Sequence, residues 1–471
     1  MIKLHNTLSK NIEDFTPLKV DKAAIYSCGP TVYDNVHIGN LCSFIFADTL
    51  RRMLSGSGFD VKHVMNFTDV DDKTIRNSQE QYSDLEPMEA LLKLTKNYGE
   101  IFLHDMAAVG NDVNAITFIK ATDSIEGMKE LITNLYKNDM AYIADDGIYF
   151  SISAYTKIGK KYGQLLELSV DSTSEERINN DEYDKESVHD FALWKKQKAN
   201  EPAWPFTLGS ADMKGRPGWH IECSVMSSAN LGQPFDIHTG GVDLIFPHHE
   251  NEIAQSTATT DSNIYARYFM HNEHVLVDGN KMSKSLHNFY TLRDITEKGF
   301  EPLALRMLAL QAHYRSQAHF SWDNLTAAQN RLKAYRAMAA LQWQPQATGS
   351  EPAQLTSKAI TERLLSYLQD DLDTPAALAY LSEVSSEFQT NLLSSDSIKD
   401  FKQLLSNIDE LFGLDLTTTP DLTNDQKDLI HSREQARTQN NWTKADKIRA
   451  TLSEDSIGIR DTEYGTIWFP L

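Results

Sequence analysis

Two short words in the sequence combine residue types that handle phosphate. His37-Ile38-Gly39-Asn40 sets an imidazole, a glycine and a carboxamide within one helical turn, after an apolar run and at the start of a helical pattern. A helix start offers unpaired N–H groups and partial positive charge, which seats phosphate. Gly39, lacking a Cβ, lets a flat base come close to the backbone. His37 and Asn40 then donate hydrogen bonds to phosphate oxygens, or, in the simpler reading, only cap the helix. Lys281-Met282-Ser283-Lys284-Ser285 brings two ammonium groups and two hydroxyls onto one loop. That suits a polyphosphate that gains charge as it leaves. Gly159-Lys160 is followed by Lys161, so the usual competitor, a Walker-type phosphate loop, is absent.

A second chemistry rests on sulfur and imidazole. The three cysteines, Cys28, Cys42 and Cys223, are too few and of the wrong parity for a disulfide framework. His248 and Glu252, at i and i+4, fall on one helix face. With Cys28 and Cys223 they supply two thiolates, an imidazole and a carboxylate, a donor set for tetrahedral zinc. The four come from three distant stretches, and a His-x-x-x-Glu pair is also an ordinary solvated surface pair. Spacing alone leaves both readings open. Cys42, within an apolar helix face, reads as core.

These residues need a scaffold. Ala23–Cys28 and Val61–Phe67 read as buried strands, Leu41–Leu54 and Pro87–Met106 as helices. Strand–helix–strand order predicts an α/β, Rossmann-like parallel sheet with ligands beyond the strands' carboxyl ends. Ile148–Ile152 alternates like an edge strand, and residues 165–190 hold nine acids and two bases, the signature of a solvated insertion. His274–Val277 reads as a strand feeding the lysine loop. After about Glu301 the pattern is helical, Gln344–Pro352 is the linker candidate, and the chain closes in a small β element.

Composition bounds the rest. The chain has 471 residues, 41% hydrophobic and 24% charged, which fits about three soluble globular domains. No stretch approaches a membrane span, and the opening Met-Ile-Lys-Leu-His-Asn lacks a signal peptide's apolar core, so a cytoplasmic protein is expected. A net charge of −21 argues against coating nucleic acid by bulk attraction. Local segments differ. Residues 324–350 contain no acid, and residues 431–449 hold five bases against two acids, with Trp442 among them. An aromatic beside arginines can stack on an unpaired base, although a charged helix is more often a solvated face.

The first word resembles the HIGH signature, and the second matches the KMSKS signature, of the class I aminoacyl-tRNA synthetases. Longer words resemble the cysteinyl-tRNA synthetase family over nearly the whole chain: Tyr26–Asp34, Asn66–Lys73, Arg216–Cys223 and Phe246–Glu252. The resemblance implies a ligase that activates L-cysteine with ATP (taken with Mg2+) and passes it to tRNA(Cys). It implies catalysis by His37, Asn40, Lys281 and Lys284, with Gly39 and Asp243 also on ATP. Gly29, Thr68, Trp219 and His238 would line the cysteine pocket, and Cys28, Cys223, His248 and Glu252 would hold one Zn2+. Arg437, Trp442 and Asp446 would read the anticodon. Asn40 stands where the family has the last histidine of HIGH, keeping a donor but losing the ring.

Zinc would answer a selectivity problem. Cysteine differs from serine by one atom, and pocket shape yields only about 1–3 kcal/mol for such differences. A metal–thiolate bond is open to cysteine and barely to a hydroxyl. The expected division is a Rossmann-like catalytic domain over 1–120 and 201–270, a connective insertion at 121–200, and a KMSKS and stem-contact region at 271–325. A helical bundle over 326–415 and an anticodon module over 416–471 complete it, in a monomer. The alternatives are a cysteine-activating ligase acting on a small-molecule amine, as in mycothiol synthesis, a non-catalytic RNA-binding derivative, and a zinc hydrolase. The last lacks its motif, because Ile253 stands where the second histidine of His-Glu-x-x-His would be.

Overall fold

The computed structural model describes residues 1–166, 177–178, 189–277, 279–282, 288–344, 356–391, 393–462 and 465–471. The chain forms two compact units. The first comprises Met1–Leu276, Lys281–Leu292 and Tyr314–Gln317, the second Val277–Asn280, Arg293–His313 and Ala318–Leu471. No helix among the described residues is long and apolar enough to cross a membrane.

In the first unit five parallel strands lie in the order Ala266–Asn272, Phe235–Gly241, Lys22–Ser27, Asp60–Phe67, Ile116–Lys120. Ile25, Tyr26, Val64 and Ile237 are fully buried, as a sheet covered on both faces requires. Chain order reverses between Phe235–Gly241 and Lys22–Ser27. At such a switch point the connections leave in opposite directions and open a crevice at the strands' carboxyl ends. The helix Ile38–Gly56 begins three residues earlier than its apolar pattern, because His37 caps it by accepting from the Asn40 N–H. Cys42 is buried on its inner face, as read from sequence.

A second sheet packs on the first. Its strands run Gly215–Pro217, Asp190–Lys196, Gly147–Phe150, Ala141–Ile143, all antiparallel, with Arg177–Ile178 parallel beside Asp190–Lys196. The edge strand expected at Ile148–Ile152 is thus an interior strand ending at Phe150, with Ile152 opening a short helix. Tyr149 misled the pattern. Its phenol is buried and donates to Asp146 Oδ2 at 3.0 Å, so an apparently polar position belongs to the core. Tyr26, Phe150, Trp194, Ile221, Cys223 and Phe269 share one apolar cluster, which ties this sheet to the parallel one. Most of the acidic stretch at 165–190 lies outside the described residues. Its root is clamped: the Glu250 carboxylate accepts the backbone N–H groups of Gly163, Gln164, Leu165 and Leu166.

The second unit is helical, through Pro302–Leu310, Trp322–Ala339, Ser357–Leu368, Thr374–Asn391, Ile398–Phe412, Asn424–Thr438 and Trp442–Glu454. Strands Ile457–Thr462 and Gly465–Pro470 close it as an antiparallel pair. Ile430, Ile448, Leu452, Ile459 and Trp468 form its terminal apolar cluster. The linker candidate falls mainly on 345–352, outside the described residues.

Candidate active site and metal centre

The crevice at the switch point is a cavity of about 320 Å³ lined by Cys28, Gly29, His37, Asn40, Lys73, Trp219 and Asp243, among others. A neighbouring cavity of about 280 Å³ shares His37, Asn40 and Asp243 and adds Gly39 and Met282. Gly29 is dictated by space, since a Cβ there would sit 1.8 Å from the Asn66 carbonyl oxygen. His37 Nδ1 accepts from the Asn40 N–H at 3.1 Å, and its ring meets Phe289 edge-on at 5.2 Å. Burial lowers the His37 pKa to about 4, outweighing the opposite pull of Asp243. At neutral pH the ring is uncharged, and with Nδ1 accepting, its proton sits on Nε2 as a donor.

The four sulfur, imidazole and carboxylate residues converge beside this cavity. Ligand atoms of Cys28, Cys223, His248 and Glu252 all lie within 4.8 Å of one another. Cys28 Sγ is 3.9 Å from Cys223 Sγ and 3.8 Å from Glu252 Oε1, while His248 Nε2 is 3.1 Å from Glu252 Oε1. Tetrahedral zinc with Zn–S bonds of about 2.3 Å separates two sulfurs by about 3.8 Å, and two N or O ligands by about 3.4 Å. The donor set therefore fits that ion without large movement. His248 lies in an irregular turn, Ile245–His249, and Glu252 stands in the helix Glu250–Thr257 that follows.

An imidazole layer surrounds these donors; of its members, sequence singles out His238, through the resemblance, and His249, only in the hydrolase alternative. His248 Nδ1 meets His220 Nδ1 at 2.9 Å, and the Trp219 ring stacks on His248 at 4.2 Å. His249 reaches Cys28 Sγ at 3.4 Å and His271 at 2.9 Å. Glu252 Oε2 accepts from Tyr265 and from His238, both at 2.9 Å. Cys28, His238, His249 and Glu252 form a second group within the same 4.8 Å limit. The sulfur-rich set better suits zinc, because thiolates favour it. The doubled His248-His249, His238 within the strand Phe235–Gly241 and His271 near the end of Ala266–Asn272 are the available signals, but nothing in the sequence says that they meet.

Burial sets the charges. It lowers His220, His248 and His271 each to about 3, so all three are neutral ligands or partners at pH 7. Burial raises Glu252, but His238, His248 and the Tyr265 hydroxyl more than offset it, leaving a carboxylate. Burial, then Cys223 and Glu252, pushes the Cys28 thiol well up. A metal must displace that proton, so its apparent affinity is expected to rise at least about tenfold per pH unit between pH 6 and 8. Competition titration with a zinc chelator checks this; a pH-independent affinity would contradict it.

Of the proposed cysteine-pocket residues, Gly29 and Trp219 line the larger cavity, whereas Thr68 and His238 are buried behind it. Lys281 lies at the end of the two-residue strand Asn280–Lys281, and Lys284 falls outside the described residues. In the second unit Trp442 is 55% exposed, with the Arg437 guanidinium 5.8 Å over its ring. Asp446 follows one turn later on the same helix face and is also exposed. Asp461 accepts from both Arg433 and Arg437, which fixes the guanidinium beside the exposed indole.

Comparison with known proteins agrees with this arrangement. Residues 14–330 match the family described as tRNA synthetases class I (C) catalytic domain. A cysteine–tRNA ligase of Solibacter usitatus is 38% identical over 479 residues, covering 99% of each chain. One from Brachyspira hyodysenteriae is 39% identical over 487 residues with the same coverage. In fold, the chain is similar to Mycobacterium tuberculosis methionyl-tRNA synthetase bound by methionyl-adenylate (TM-score 0.59, 13% identity, 83% of this chain and 92% of that one). A structure described as a putative arginyl-tRNA synthetase of Campylobacter jejuni gives 0.55 and 10%, over 86% and 94%. The parallel sheet with its switch-point crevice, the helical second unit and full-length likeness together show that this chain belongs to the cysteine–tRNA ligase family of class I aminoacyl-tRNA synthetases.

Proposed function

We propose that the protein is a cysteine–tRNA ligase whose acceptor is tRNA(Cys), acting as a cytoplasmic monomer. The cysteine carboxylate attacks the α-phosphorus of ATP, and pyrophosphate leaves. The terminal ribose hydroxyl of the tRNA then attacks the carbonyl of cysteinyl adenylate, and AMP leaves. The observation that carries this reading is the convergence of Cys28, Cys223, His248 and Glu252 beside a cavity that opens on the capped helix at His37.

In the first step a carboxylate needs no general base, so its catalysis is positioning plus charge stabilisation, and in the second the departing phosphate of AMP can take the ribose hydroxyl proton. His37 donates its Nε2 proton to a phosphate oxygen, and Asn40 a carboxamide proton. Lys281 and Lys284 neutralise the departing pyrophosphate and the Mg2+-bound triphosphate, and Asp243 holds the ribose. Gly29 and Trp219 form backbone and ring walls of the cysteine pocket, with Thr68 and His238 behind them. Cys28, Cys223, His248 and Glu252 would hold zinc, which supplies an affinity for thiolate that a hydroxyl barely shares. Arg437, Trp442 and Asp446 read the anticodon, and that exposed aromatic-cation surface favours RNA over a small-molecule amine as acceptor. The divisions at residues 120, 200, 270, 325 and 415 mark functional segments within the two compact units.

Charging of tRNA(Cys) with labelled cysteine, against excess serine, tests the function. The expected result is cysteinyl-tRNA with no measurable seryl product. Lys284→Ala is expected to slow ATP–pyrophosphate exchange at least about a hundredfold while zinc content stays unchanged. A wild-type exchange rate in that variant would remove Lys284 from the mechanism.

A further inference from the structure

Behind the Cys28–Gly29 wall runs a hydrogen-bond chain whose direction can be deduced. The Gly29 backbone N–H, which can only donate, meets Asn66 Oδ1 at 2.8 Å. That contact fixes the Asn66 amide, so its Nδ2 is the atom facing Thr68 Oγ1 at 3.1 Å, and it donates there. A threonine hydroxyl has one proton, and the Thr68 proton goes to Glu222 Oε2 at 3.0 Å. Every bond therefore points toward Glu222. Asn66, Thr68 and Glu222 are each at most 1% exposed, so water cannot replace a missing acceptor. Asn66 Oδ1 also lies 3.7 Å from Cys223 Sγ, so the chain touches the metal donors as well as the wall.

We propose that Glu222 is a positioning residue for cysteine binding: as terminal acceptor of the Gly29–Asn66–Thr68 chain, it fixes the wall beside Cys28. The argument rests on the proposed function, because it takes that wall as the cysteine pocket. Without an acceptor at 222, the Thr68 proton has only Asn66 to turn to. Either that buried proton stays unpaired, or the amide flips to accept it and its NH2 confronts the Gly29 N–H. The wall cannot absorb this by shifting inward, since Gly29 already packs against the Asn66 carbonyl with no room for a methyl group.

The test compares Glu222→Ala, Glu222→Gln and Thr68→Val in the full-length, zinc-loaded protein, by cysteine-dependent ATP–pyrophosphate exchange. Glu222→Ala and Thr68→Val are expected to raise the KM for cysteine about tenfold or more. Their kcat and their KM for ATP should stay within about threefold, and Glu222→Gln, which keeps an acceptor, should restore most of the affinity. The double variant Glu222→Ala/Thr68→Val should be no worse than the worse single one, because both break one chain. Hydrogen exchange at the Gly29 amide gives a readout without substrate, and protection should fall in both single variants. A wild-type cysteine KM in folded, zinc-loaded Glu222→Ala or Thr68→Val would overturn the proposal, as would multiplicative effects or a Glu222→Gln as damaging as Glu222→Ala. If Glu222→Ala does not fold, Glu222→Leu, which fills the space without an acceptor, takes its place, and a wild-type cysteine KM there would overturn the proposal. If the wild type shows no cysteine-dependent exchange, the proposed function fails instead, and Gly29 protection alone decides the chain.

Discussion

Replacing Cys223 by serine is expected to abolish stoichiometric zinc and to cut cysteine-dependent ATP–pyrophosphate exchange at least about a hundredfold. Serine nearly matches cysteine in volume, so this fully enclosed position keeps its packing in the apolar cluster it shares with Tyr26 and Ile221. Its hydroxyl does not ionise near neutral pH, however, and an imidazole, a carboxylate and one thiolate remain. The two donor groups share Cys28 and Glu252 but differ in the rest, Cys223 and His248 against His238 and His249. The variant therefore separates them. Zinc measured by mass spectrometry after gel filtration should fall well below one per chain. Any residual exchange should prefer cysteine over serine only about 10–200-fold, the range that pocket shape alone provides. Zinc retained at one per chain, with selectivity intact, would move the metal to the histidine-rich group.

The uneven legibility of this site has a physical origin. His37–Asn40 could be read because cap, glycine and donor occupy a single helical turn, where local sequence sets geometry. The strand Lys22–Ser27 could be read from its apolar run Ala23–Tyr26, and Asp60–Phe67 from Val61, Val64, Met65 and Phe67, although Lys62, His63 and Asn66 interrupt it. The metal donors are another matter, since Cys28, Cys223 and Glu252 are brought together by parallel strand pairing across more than two hundred residues. No spacing rule encodes that pairing, and only likeness to a family singled them out. His220 and His271 were invisible for the same reason, as was the Gly29–Asn66–Thr68–Glu222 chain, although each residue of that chain stands in a quoted motif. Tyr149 shows the opposite failure, a polar-looking residue that the core takes in while its hydroxyl donates to the half-buried Asp146. Net charge misled as well. A total of −21 says little about a local surface on which Arg437 lies over the exposed Trp442 ring.

His37→Ala is expected to lower kcat for adenylate formation by about 10²–10³, the usual cost of losing one aligned donor to developing charge. The cysteine KM and zinc content should hold, because His37 is not among the donors grouped around Cys28. The variant also loses the helix cap, which costs about 0.5–2 kcal/mol of stability. His37→Asn separates the two effects. Asparagine is a good N-cap and keeps a donor, so it should restore the melting temperature fully but the rate only in part. The pH profile adds a sign check. With a folded-state pKa of about 4, His37 stays neutral at all pH values well above that, so its contribution is constant from about pH 6 to 9. As pH falls through 4, protonation at Nδ1 removes the acceptor for the Asn40 N–H, and cap and alignment are lost together. The ratio of wild-type to His37→Ala rates should therefore be flat across the neutral range. A ratio rising as pH falls from 7.5 to 6 would mean that His37 works as an imidazolium, which its burial disfavours. A His37→Ala rate equal to wild type would leave Asn40 and the lysine loop to carry the phosphate chemistry alone.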